Sequence, residues 1–413
     1  MALAAMDALG AGAGSPAAMK QHWCVITCEY PPIAGGVSDH TFQLAGALAD
    51  AGDAVEVWTP PAAGVRAERP GIDVHVLPSR FGFDSLRVLR RALSKCPATT
   101  RVLVQYVPTA FGWRMMNVGF ALMLATQRRG VEFYVHEVGF PIEQQRTLRR
   151  KIVGVVHLLM NWMSMRSATR IFVTIPDWAS RLRALGVWAG RREPPITWIP
   201  VPSNIPAIAA SDSVREVRAM FGAAGATMIG GHFGIFGRYH SRVLPPVIFR
   251  LLDGMKSFGF LLIGRNSDVM RDAMLAQRPD LASRIVATGG LPPAEASANI
   301  AACDVMLQPY EDGASSRRTS LMAALALGRP IVTNRGVATD AVWTDGDAVS
   351  LTDSDAPAAL TDAVHAILRD RGIGVRLGAA ALALDRRVFS LARSVSVLRD
   401  GVSAPSAARE DSQ

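Results

Sequence analysis

The sequence has few cysteines and no long apolar run. Its 413 residues include four cysteines, at positions 24, 28, 96 and 303, and their spacing does not match a metal site. We interpret all four as reduced packing residues in a reducing compartment. No uninterrupted apolar run reaches the ~18 residues that a membrane span needs. These absences exclude a disulfide-stapled domain and predict no transmembrane helix.

Lysine is also scarce, although the chain is basic. Only four of the 44 basic residues are lysine, and the net charge is +9. The planar guanidinium group of arginine binds phosphate oxygens in pairs. Charge alone therefore suggests nucleic acid, an anionic membrane or a phosphorylated small molecule as partner. Because no nucleic-acid-binding motif is recognisable, we predict no nucleic-acid partner.

Composition changes along the chain predict its domain boundaries. Residues 1–19 are rich in Ala and Gly, lack a basic start and contain Asp7, so we expect a disordered tail rather than a signal peptide. Residues 401–413 are predicted to be a second disordered tail. Three prolines fall within residues 199–206, which excludes a regular helix or strand there. We predict a linker at 201–208 between domains at 20–200 and 209–400.

Apolar strands alternate with helix-like segments in two series. The first series predicts strands at residues 23–28, 54–58, 74–77, 102–106 and 132–135. The second predicts strands at residues 231–236, 258–263, 285–288, 305–307 and 330–333. Such alternation is typical of parallel sheets covered on both faces. We predict an α/β protein of two doubly wound, Rossmann-like domains facing each other across a cleft, with ligands at the carboxyl ends of the strands.

Glycines and arginines follow the predicted strands. Gly35 and Gly36 lie between the first strand and the first helix, where backbone N–H groups can approach an anion. Arg238 follows the first strand of the second series, with Arg242 four residues on. Two guanidinium groups on such a loop can bind a diphosphate. The structural alternatives are a tight turn for the two glycines and solvated surface charge for the two arginines.

A second cluster of arginines and hydroxyls precedes an Ala- and Leu-rich helix. It consists of Ser316, Arg317, Arg318, Thr319 and Ser320. Arginine is disfavoured at the positive end of a helix unless an anion lies there, so this segment predicts an anion site. A plain N-cap is the alternative. No residues with metal-ligand spacing are found, and we predict no metal.

Two further features bear on function. His136 ends the predicted strand at 132–135 and faces the cleft, although a buried core histidine is an equal alternative. The segment 146–170 contains six basic residues and no acidic one, around an apolar stretch. Such a helix can lie on anionic lipid, although a buried helix with basic ends is the alternative.

Several blocks, in order along residues 20–398, resemble glycosyltransferase family 4. They lie at residues 30–49, 136–137, 199–206, 236–238, 304–309, 324–332 and 388–392. The resemblance implies the two-domain GT-B fold, with a nucleotide-sugar on the second domain, the acceptor on the first, and a last helix that crosses back to the first domain. It also implies that His136 contacts the donor sugar and that Arg238 binds the donor diphosphate.

The chain departs from the family pattern at two places. The lysine that follows Gly-Arg in the family is missing, and Arg242 is the nearest cation. The Glu-x7-Glu pair of the family falls on Ser315 and Ala323. Arg317-Arg318-Thr319-Ser320 instead resembles a branch of the family with an Arg-Arg-x-Ser signature. Glu311 or Asp312 could take over one role of the missing acidic pair.

The expected function is that of a retaining, metal-independent glycosyltransferase of cell-surface polysaccharide or glycolipid assembly. It needs no cofactor beyond a nucleotide-diphosphate sugar as co-substrate, and its acceptor is a saccharide or a lipid-linked molecule. Arginines stabilise the departing diphosphate, Glu311 or Asp312 holds ribose or sugar hydroxyls, and Gly35 and Gly36 allow close approach. We expect a cytoplasmic protein, with peripheral attachment to the inner membrane face through residues 146–170. A nucleotide-sugar epimerase and an inactive basic scaffold on a membrane are the alternatives.

Overall fold

The computed structural model describes residues 20–33, 35–65, 67–139, 147–207, 209–222 and 224–400. The two predicted tails, at 1–19 and 401–413, lie outside the described residues, and so does Arg146. The described strands form two parallel sheets, one in each half of the chain. The prediction of a doubly wound α/β protein is therefore confirmed.

The first sheet has seven parallel strands. They are β1 (His22–Thr27), β2 (Ala54–Thr59), β3 (Ile72–Val76), β4 (Arg101–Tyr106), β5 (Val131–Val135), β6 (Ala168–Val173) and β7 (Ile196–Trp198). Their spatial order is β3-β2-β1-β4-β5-β6-β7. The chain therefore reverses its direction of winding between β1 and β4. Strands β1, β4 and β5 are almost entirely buried, as expected for a sheet with helices on both faces.

Helices cover this first sheet. They are α1 (Gly36–Asp50), α2 (Phe83–Lys95), α3 (Val118–Ala125), α4 (Leu148–Ser164) and α5 (Pro176–Ala184). Short 3₁₀ turns lie at Trp113–Met115 and Met165–Ser167. Helices α3 and α4 pack against each other, and α2 contacts α3.

The second sheet has six parallel strands. They are β8 (Met228–Phe233), β9 (Phe258–Ile263), β10 (Ile285–Ala287), β11 (Val305–Leu307), β12 (Ile331–Asn334) and β13 (Ser350–Thr352). Their order is β10-β9-β8-β11-β12-β13, so the winding reverses between β8 and β11. The two sheets thus repeat one topological plan.

Helices also cover the second sheet. They are α6 (Ser211–Gly222), α7 (Arg238–Gly254), α8 (Ser267–Gln277), α9 (Pro293–Ala301), α10 (Thr319–Ala326), α11 (Ala341–Thr344), α12 (Pro357–Arg369) and α13 (Arg371–Leu384). Helix α14 (Leu391–Asp400) follows them and packs on the first half. A 3₁₀ turn lies at Pro279–Leu281, and a π turn at Asp385–Phe389 joins α13 to α14.

Sequence patterns missed three strands and misplaced the end of another. Strands β7 and β13 are half-buried strands at the edges of their sheets, so no continuous apolar run marks them in the sequence. Strand β6 begins inside the basic segment 146–170, which we interpreted as one helix. Only the first part of that segment is a helix, α4. Strand β8 ends at Phe233, three residues earlier than predicted. Residues 234–237 therefore belong to the loop that precedes α7.

Two parts of the chain connect the halves. Residues 199–207 contain no helix or strand, and the proline-rich segment crosses there from the first sheet to α6. The last helix returns to the first half, because α14 packs on α1. Its Val397 and Leu398 are buried in one apolar cluster with Trp23 and Leu44. Arg170 of β6 holds the same helix by donating to the carbonyl oxygens of Val397 and Leu398, each over 3.1 Å.

Candidate functional site

The topology itself marks where a ligand binds. In open parallel sheets, ligands occupy the crevice beyond the carboxyl ends of the strands, where the strand order reverses. In the first sheet this point lies between β1 and β4, and Gly35 and Gly36 follow β1 directly. In the second it lies between β8 and β11, which precede Arg238 and Arg317.

Arg238 is the first residue of α7. Its side chain is exposed and has no ion pair or hydrogen bond within the described part of the chain. Because Gly237 precedes the helix and carries no side chain, the first N–H groups of α7 are open to an anion. Arg242 lies one turn further and packs over the ring of Tyr239 at 5.7 Å. Tyr239 in turn donates to Asp355 over 3.0 Å.

Two histidines lie behind this helix end. Burial and the neighbouring His240 lower the pKa of His232 to about 3. Its Nδ1 is 2.7 Å from the carbonyl oxygen of Leu307, and its Nε2 has no hydrogen-bond partner among the described residues. Burial and then Arg318 lower the pKa of His240. Both rings are therefore neutral polar groups near pH 7.

Asp312 holds the two arginines that precede α10. Arg317 donates from Nη2 to Oδ2 of Asp312 over 3.2 Å, and Arg318 donates from Nη2 to Oδ1 of the same carboxylate. Asp312 itself is fixed by close backbone packing, because its carbonyl oxygen accepts from Ala338 over 2.8 Å. An anion therefore does lie at this helix end, and the chain supplies it.

The two arginines keep donors that Asp312 does not use. Nε of Arg317 and Nε of Arg318 are both buried, and neither has a hydrogen-bond partner within the described residues. Arg318 packs over Tyr310 at 4.9 Å, and Arg317 lies over Trp178 of the first half at 5.9 Å. A buried donor without a partner carries a free-energy penalty that an incoming anion removes.

The hydroxyls of Ser316 and Ser320 in this segment already have hydrogen-bond partners. Ser316 donates from Oγ to the carbonyl oxygen of Thr174 over 3.0 Å and from its backbone N–H to Asp340 over 2.6 Å. Ser320 Oγ lies 2.8 Å from the hydroxyl of Tyr310. Ser316 therefore joins the two halves, and Ser320 supports the ring under Arg318. Of the other predicted residues, Thr319 begins α10 and Glu311 is exposed beside Asp312.

The two positions aligned with the missing acidic pair are inaccessible to solvent. Ser315 and Ala323 are both fully buried. Ser315 has no hydrogen-bond partner for its hydroxyl among the described residues, and its small side chain lies behind the arginines. The acidic groups next to these arginines on the loop after β11 are Asp312 and Glu311.

His136 follows β5 and lies at the cleft edge of the first sheet. Its Nε2 is 2.7 Å from Oε1 of Gln105, an arrangement that places the ring proton on Nε2 and leaves Nδ1 as an acceptor. Its ring packs against His40 and Tyr134. Burial, and then His40, hold the pKa of His136 well below its usual value, so the ring is neutral.

Three carboxylates lie around Gly35. A Cβ at Gly35 would stand 2.4 Å from Oε2 of Glu29, so that carboxylate lies directly against the glycine. Burial raises the pKa of Glu29, Arg80 lowers it, and Asp39 and Glu137 raise it further. Burial also raises the pKa of Glu137, whereas Arg317 of the second half lowers it. The first half thus presents partly buried acids opposite the arginines of the second.

Comparison with protein families gives two matches. Residues 35–195 match the model of the glycosyl transferase 4-like domain, and residues 239–370 match that of the glycosyl transferases group 1. The chain belongs to the GT-B glycosyltransferases. No curated protein is significantly similar to it in sequence.

Solved glycosyltransferase structures share the fold at low identity. Sucrose-phosphate synthase from Thermosynechococcus elongatus has a TM-score of 0.67 and 18% identity, covering 92% of this chain and 98% of that one. Anabaena HepE in complex with UDP has a TM-score of 0.64 and 13% identity, and the match covers 93% of this chain and 100% of that one. Trehalose-phosphate synthase (UDP-forming) from Burkholderia xenovorans has a TM-score of 0.58 and 12% identity, and the match covers 92% of this chain and 98% of that one.

Sequence reasoning on this glycosyltransferase missed the side chains that support its predicted site. They are Glu29, Gln105, Trp178, His232, Tyr239, His240 and Tyr310. Tyr239 and His240 follow Arg238 directly, so their place in the chain was a usable signal. Trp178 and Gln105 carried none, because only the tertiary fold brings them to His136.

The basic segment 146–170 divides into parts with different roles. Arg149, Arg150 and Lys151 are exposed on α4, whereas Arg170 lies on β6 and pairs with the last helix. Within the described part of the chain, no helix is long and apolar enough to cross a membrane. The described residues also contain no group of His, Cys, Asp and Glu that could hold a metal.

Proposed function

We propose that this glycosyltransferase moves a sugar from a nucleotide-diphosphate donor to an acceptor hydroxyl, with retention and without a metal. The observation that carries the proposal is the pair of unpartnered, buried guanidinium Nε atoms of Arg317 and Arg318 at a topological switch point. Buried cationic donors without partners favour a dianionic group such as a diphosphate.

Departure of the nucleoside diphosphate is the step that these groups assist. Negative charge grows on the leaving phosphate as its bond to the sugar breaks. Arg238 and Arg242, with the first N–H groups of α7, approach that charge from one side. Arg317 and Arg318 approach the same charge from the other side. This chain lacks the acidic pair of the family, whose two positions are Ser315 and Ala323. Four guanidinium groups supply the positive charge that a divalent cation supplies elsewhere.

The sugar and the acceptor lie toward the first half in this proposal. His136 orients the sugar as a neutral acceptor through Nδ1, because Gln105 occupies Nε2. Gly35 and Gly36 let the acceptor approach the backbone at the start of α1. Asp312 shifts toward ribose or sugar hydroxyls once the diphosphate takes over its arginines, and Glu311 is exposed beside it.

The pathway follows from the acceptor class. We propose that the acceptor is a saccharide of cell-surface polysaccharide or glycolipid assembly and that the enzyme works in the cytoplasm. The structure of HepE in complex with UDP-glucose supports uridine nucleotides as the first donors to test.

Nucleotide binding tests the proposal directly. Thermal stability is measured with UDP, GDP, ADP, TDP and CMP for the wild type and for Arg238→Ala. A ligand at ~100 times its dissociation constant adds ~2.7 kcal/mol, which is a shift of a few degrees. Arg250→Ala is the matched control, because Arg250 is an exposed arginine on the same helix away from its N-terminus. We expect one nucleotide to stabilise the wild type and the control but not Arg238→Ala.

The alternatives give different outcomes. A donor sugar that isomerises without acceptor favours an epimerase. A protein that no nucleotide stabilises is a scaffold rather than a transferase. Wild-type turnover in both Arg238→Ala and Arg317→Ala would contradict the assignment of the diphosphate site.

A further inference from the structure

Helix α4 is exposed on its apolar side. Leu148, Ile152, Val155, Leu159 and Trp162 are 75%, 54%, 54%, 44% and 40% exposed. Their spacing of four, three, four and three residues places all five on one stripe of the helix. A surface helix of a globular protein turns such a stripe toward the core, so this helix is inverted.

The buried side of α4 carries the polar residues His157, Asn161 and Ser164 beside the apolar Val153 and Met160. Asn161 donates to the carbonyl oxygen of Val138 over 2.9 Å and accepts from the Tyr106 hydroxyl over 2.8 Å. Nε2 of His157 lies 2.8 Å from the carbonyl oxygen of Met115. These hydrogen bonds fix the rotation of the helix about its axis. The apolar stripe of α4 therefore faces away from the core.

Further exposed apolar side chains lie on neighbouring elements of the first half. Phe83, at the start of α2, is 68% exposed and stacks edge-on against Trp113, which is 50% exposed. Trp113, Arg114 and Met115 all have positive φ angles of 50° to 73°, a strained geometry for residues other than glycine. Nε1 of Trp113 is fixed by the carbonyl oxygen of Phe81. We call the α4 stripe together with Phe83, Trp113 and Met115 the apolar face.

Positive charge borders the apolar face. Arg149, Arg150 and Lys151 are exposed in the first turn of α4, and Arg166 lies over the Trp162 ring at 4.5 Å. Residues 147–170 include no Asp or Glu. Asp84 is an acid beside Phe83, and it is hydrogen-bonded to Ser79. If a second copy of the chain bound to this face through its own apolar face, the positively charged side chains of the two copies would face each other.

We propose that the apolar face docks the protein onto a bilayer that contains anionic lipid. Exposed Leu, Ile, Val and Trp side chains enter the boundary between headgroups and acyl chains, and the cations bind lipid phosphates. This docking does not depend on the proposed transfer reaction. One consequence does rest on it. Because α4 begins at the edge of the sheet where the strands end, a docked enzyme presents its cleft edge to a lipid-anchored acceptor.

Vesicle flotation tests the proposal with the full chain. The vesicles contain phosphatidylcholine alone or equal parts of phosphatidylcholine and phosphatidylglycerol. We expect the wild type to float with the mixed vesicles and to remain in solution with phosphatidylcholine alone. Ile152→Ser combined with Leu159→Ser should weaken binding about tenfold or more, because two apolar side chains leave the lipid. Lys151→Glu should weaken it several-fold, with a smaller dependence on salt.

Two exposed valines elsewhere give a matched control. Val269 and Val375 are 65% and 71% exposed on helices α8 and α13 of the second half. Val269→Ser combined with Val375→Ser should float like the wild type. The Ile152→Ser and Leu159→Ser variant should keep its melting temperature and its thermal response to nucleotide, which separates loss of docking from loss of fold or of the proposed function.

Three results would overturn the proposal. One is a wild type that ignores anionic vesicles. Another is an Ile152→Ser and Leu159→Ser variant that floats as well as the wild type. The third is a dimer in solution that this variant converts to a monomer, since the apolar face would then be an interface between two copies.

Discussion

The indole of Trp178 donates from Nε1 to the carbonyl oxygen of His136 over 2.9 Å. The same ring lies under the guanidinium group of Arg317 at 5.9 Å. Trp178 belongs to α5 of the first half and Arg317 to the loop before α10 of the second. One buried aromatic ring therefore joins the residue proposed to orient the sugar to an arginine proposed to bind the diphosphate.

Replacement of Trp178 tests this connection. Trp178→Phe keeps an aromatic ring but removes the hydrogen bond to His136, which should cost about 1 to 2 kcal/mol of stability. We expect kcat to fall about tenfold, because both His136 and Arg317 lose their support. Steady-state kinetics and thermal unfolding measure the two effects.

A tryptophan at the start of β1 is the control. Trp23 also donates its indole N–H, to Oδ2 of Asp53 over 3.0 Å, and lies at the amino end of its strand, away from the cleft. Trp23→Phe should also lose stability and keep its kcat. Equal losses of kcat in both variants would mean that Trp178 acts through stability alone.

The carboxylate of Asp312 competes with the proposed diphosphate for Arg317 and Arg318. Asp312→Asn keeps a hydrogen-bond acceptor but removes the negative charge, so a nucleoside diphosphate no longer has to displace a counter-ion. Removal of one like charge near the surface is worth ~1 kcal/mol. We expect nucleoside diphosphate to bind about fivefold more tightly, as measured by isothermal titration calorimetry.

A distant surface aspartate corrects for the change in net charge. Asp253 is in the last turn of α7, about 22 Å along the helix from Arg238, so Asp253→Asn removes a charge far from the cleft. That variant should bind nucleotide like the wild type. Weaker binding in Asp312→Asn would instead mean that the carboxylate is needed to hold the arginines in their binding geometry.

Gly313 sets the position of Asp312. Its φ angle is +88°, and a Cβ there would lie 2.3 Å from the backbone nitrogen of Gly336. Gly313→Ala therefore combines an unfavourable backbone conformation with a steric clash, and we expect a loss of roughly 3 kcal/mol or more in chemical denaturation. Gly186 also has a positive φ, of +62°, but nothing within 4 Å of a Cβ. Gly186→Ala should lose only about 1 kcal/mol, and an equal loss in both would exclude the clash.

Much of the fold was predictable from the sequence, because buried parallel strands are continuous apolar runs. Strands such as β9 (Phe258–Ile263) and β11 (Val305–Leu307) were predicted with their observed bounds. The edge strands β7 and β13 were not predicted, since they are only half-buried and each takes its geometry from the one neighbour it pairs with. The inverted helix α4 was left undecided for a similar reason. Its apolar residues predict a stripe, but only the tertiary contacts of His157 and Asn161 show which side is buried.

The candidate site was predictable where its residues follow strands. Arg238 and Arg317 could be found because the crevice of a parallel sheet lies beyond the strand ends. Their partners could not, since nothing in the sequence pairs Asp312 with both arginines. The hydrogen bond from Ser316 to Thr174 across the two halves was equally hidden. Such pairings depend on distances between loops, which spacing in the sequence does not give.

Asp385 lies at the junction of the two halves. It begins the π turn before α14, and it lines a cavity with Asp39 and Phe42 of α1 and with Ser203 and Asn204 of the linker. Burial raises the pKa of Asp385 to about 6, and Arg386 opposes this shift weakly. Because the folded protein disfavours the charged form, its stability is fully present below the unfolded pKa, near 4, and is lost as the pH rises through about 6.

Asp385→Asn should remove this pH dependence. Asparagine is close in size to aspartate and stays neutral, so the variant avoids the burial of a charge at neutral pH. We expect no difference from the wild type near pH 4 and a gain that grows between pH ~5 and ~7. At pH 8 it should reach about 1 to 2 kcal/mol, because partial solvent access reduces the full value of the shift. Denaturation across this pH range, with the exposed Asp362→Asn variant of α12 as control for net charge, measures it. A gain of equal size at every pH would mean that the new amide makes a hydrogen bond of its own, and that titration of Asp385 does not cause the pH dependence of stability.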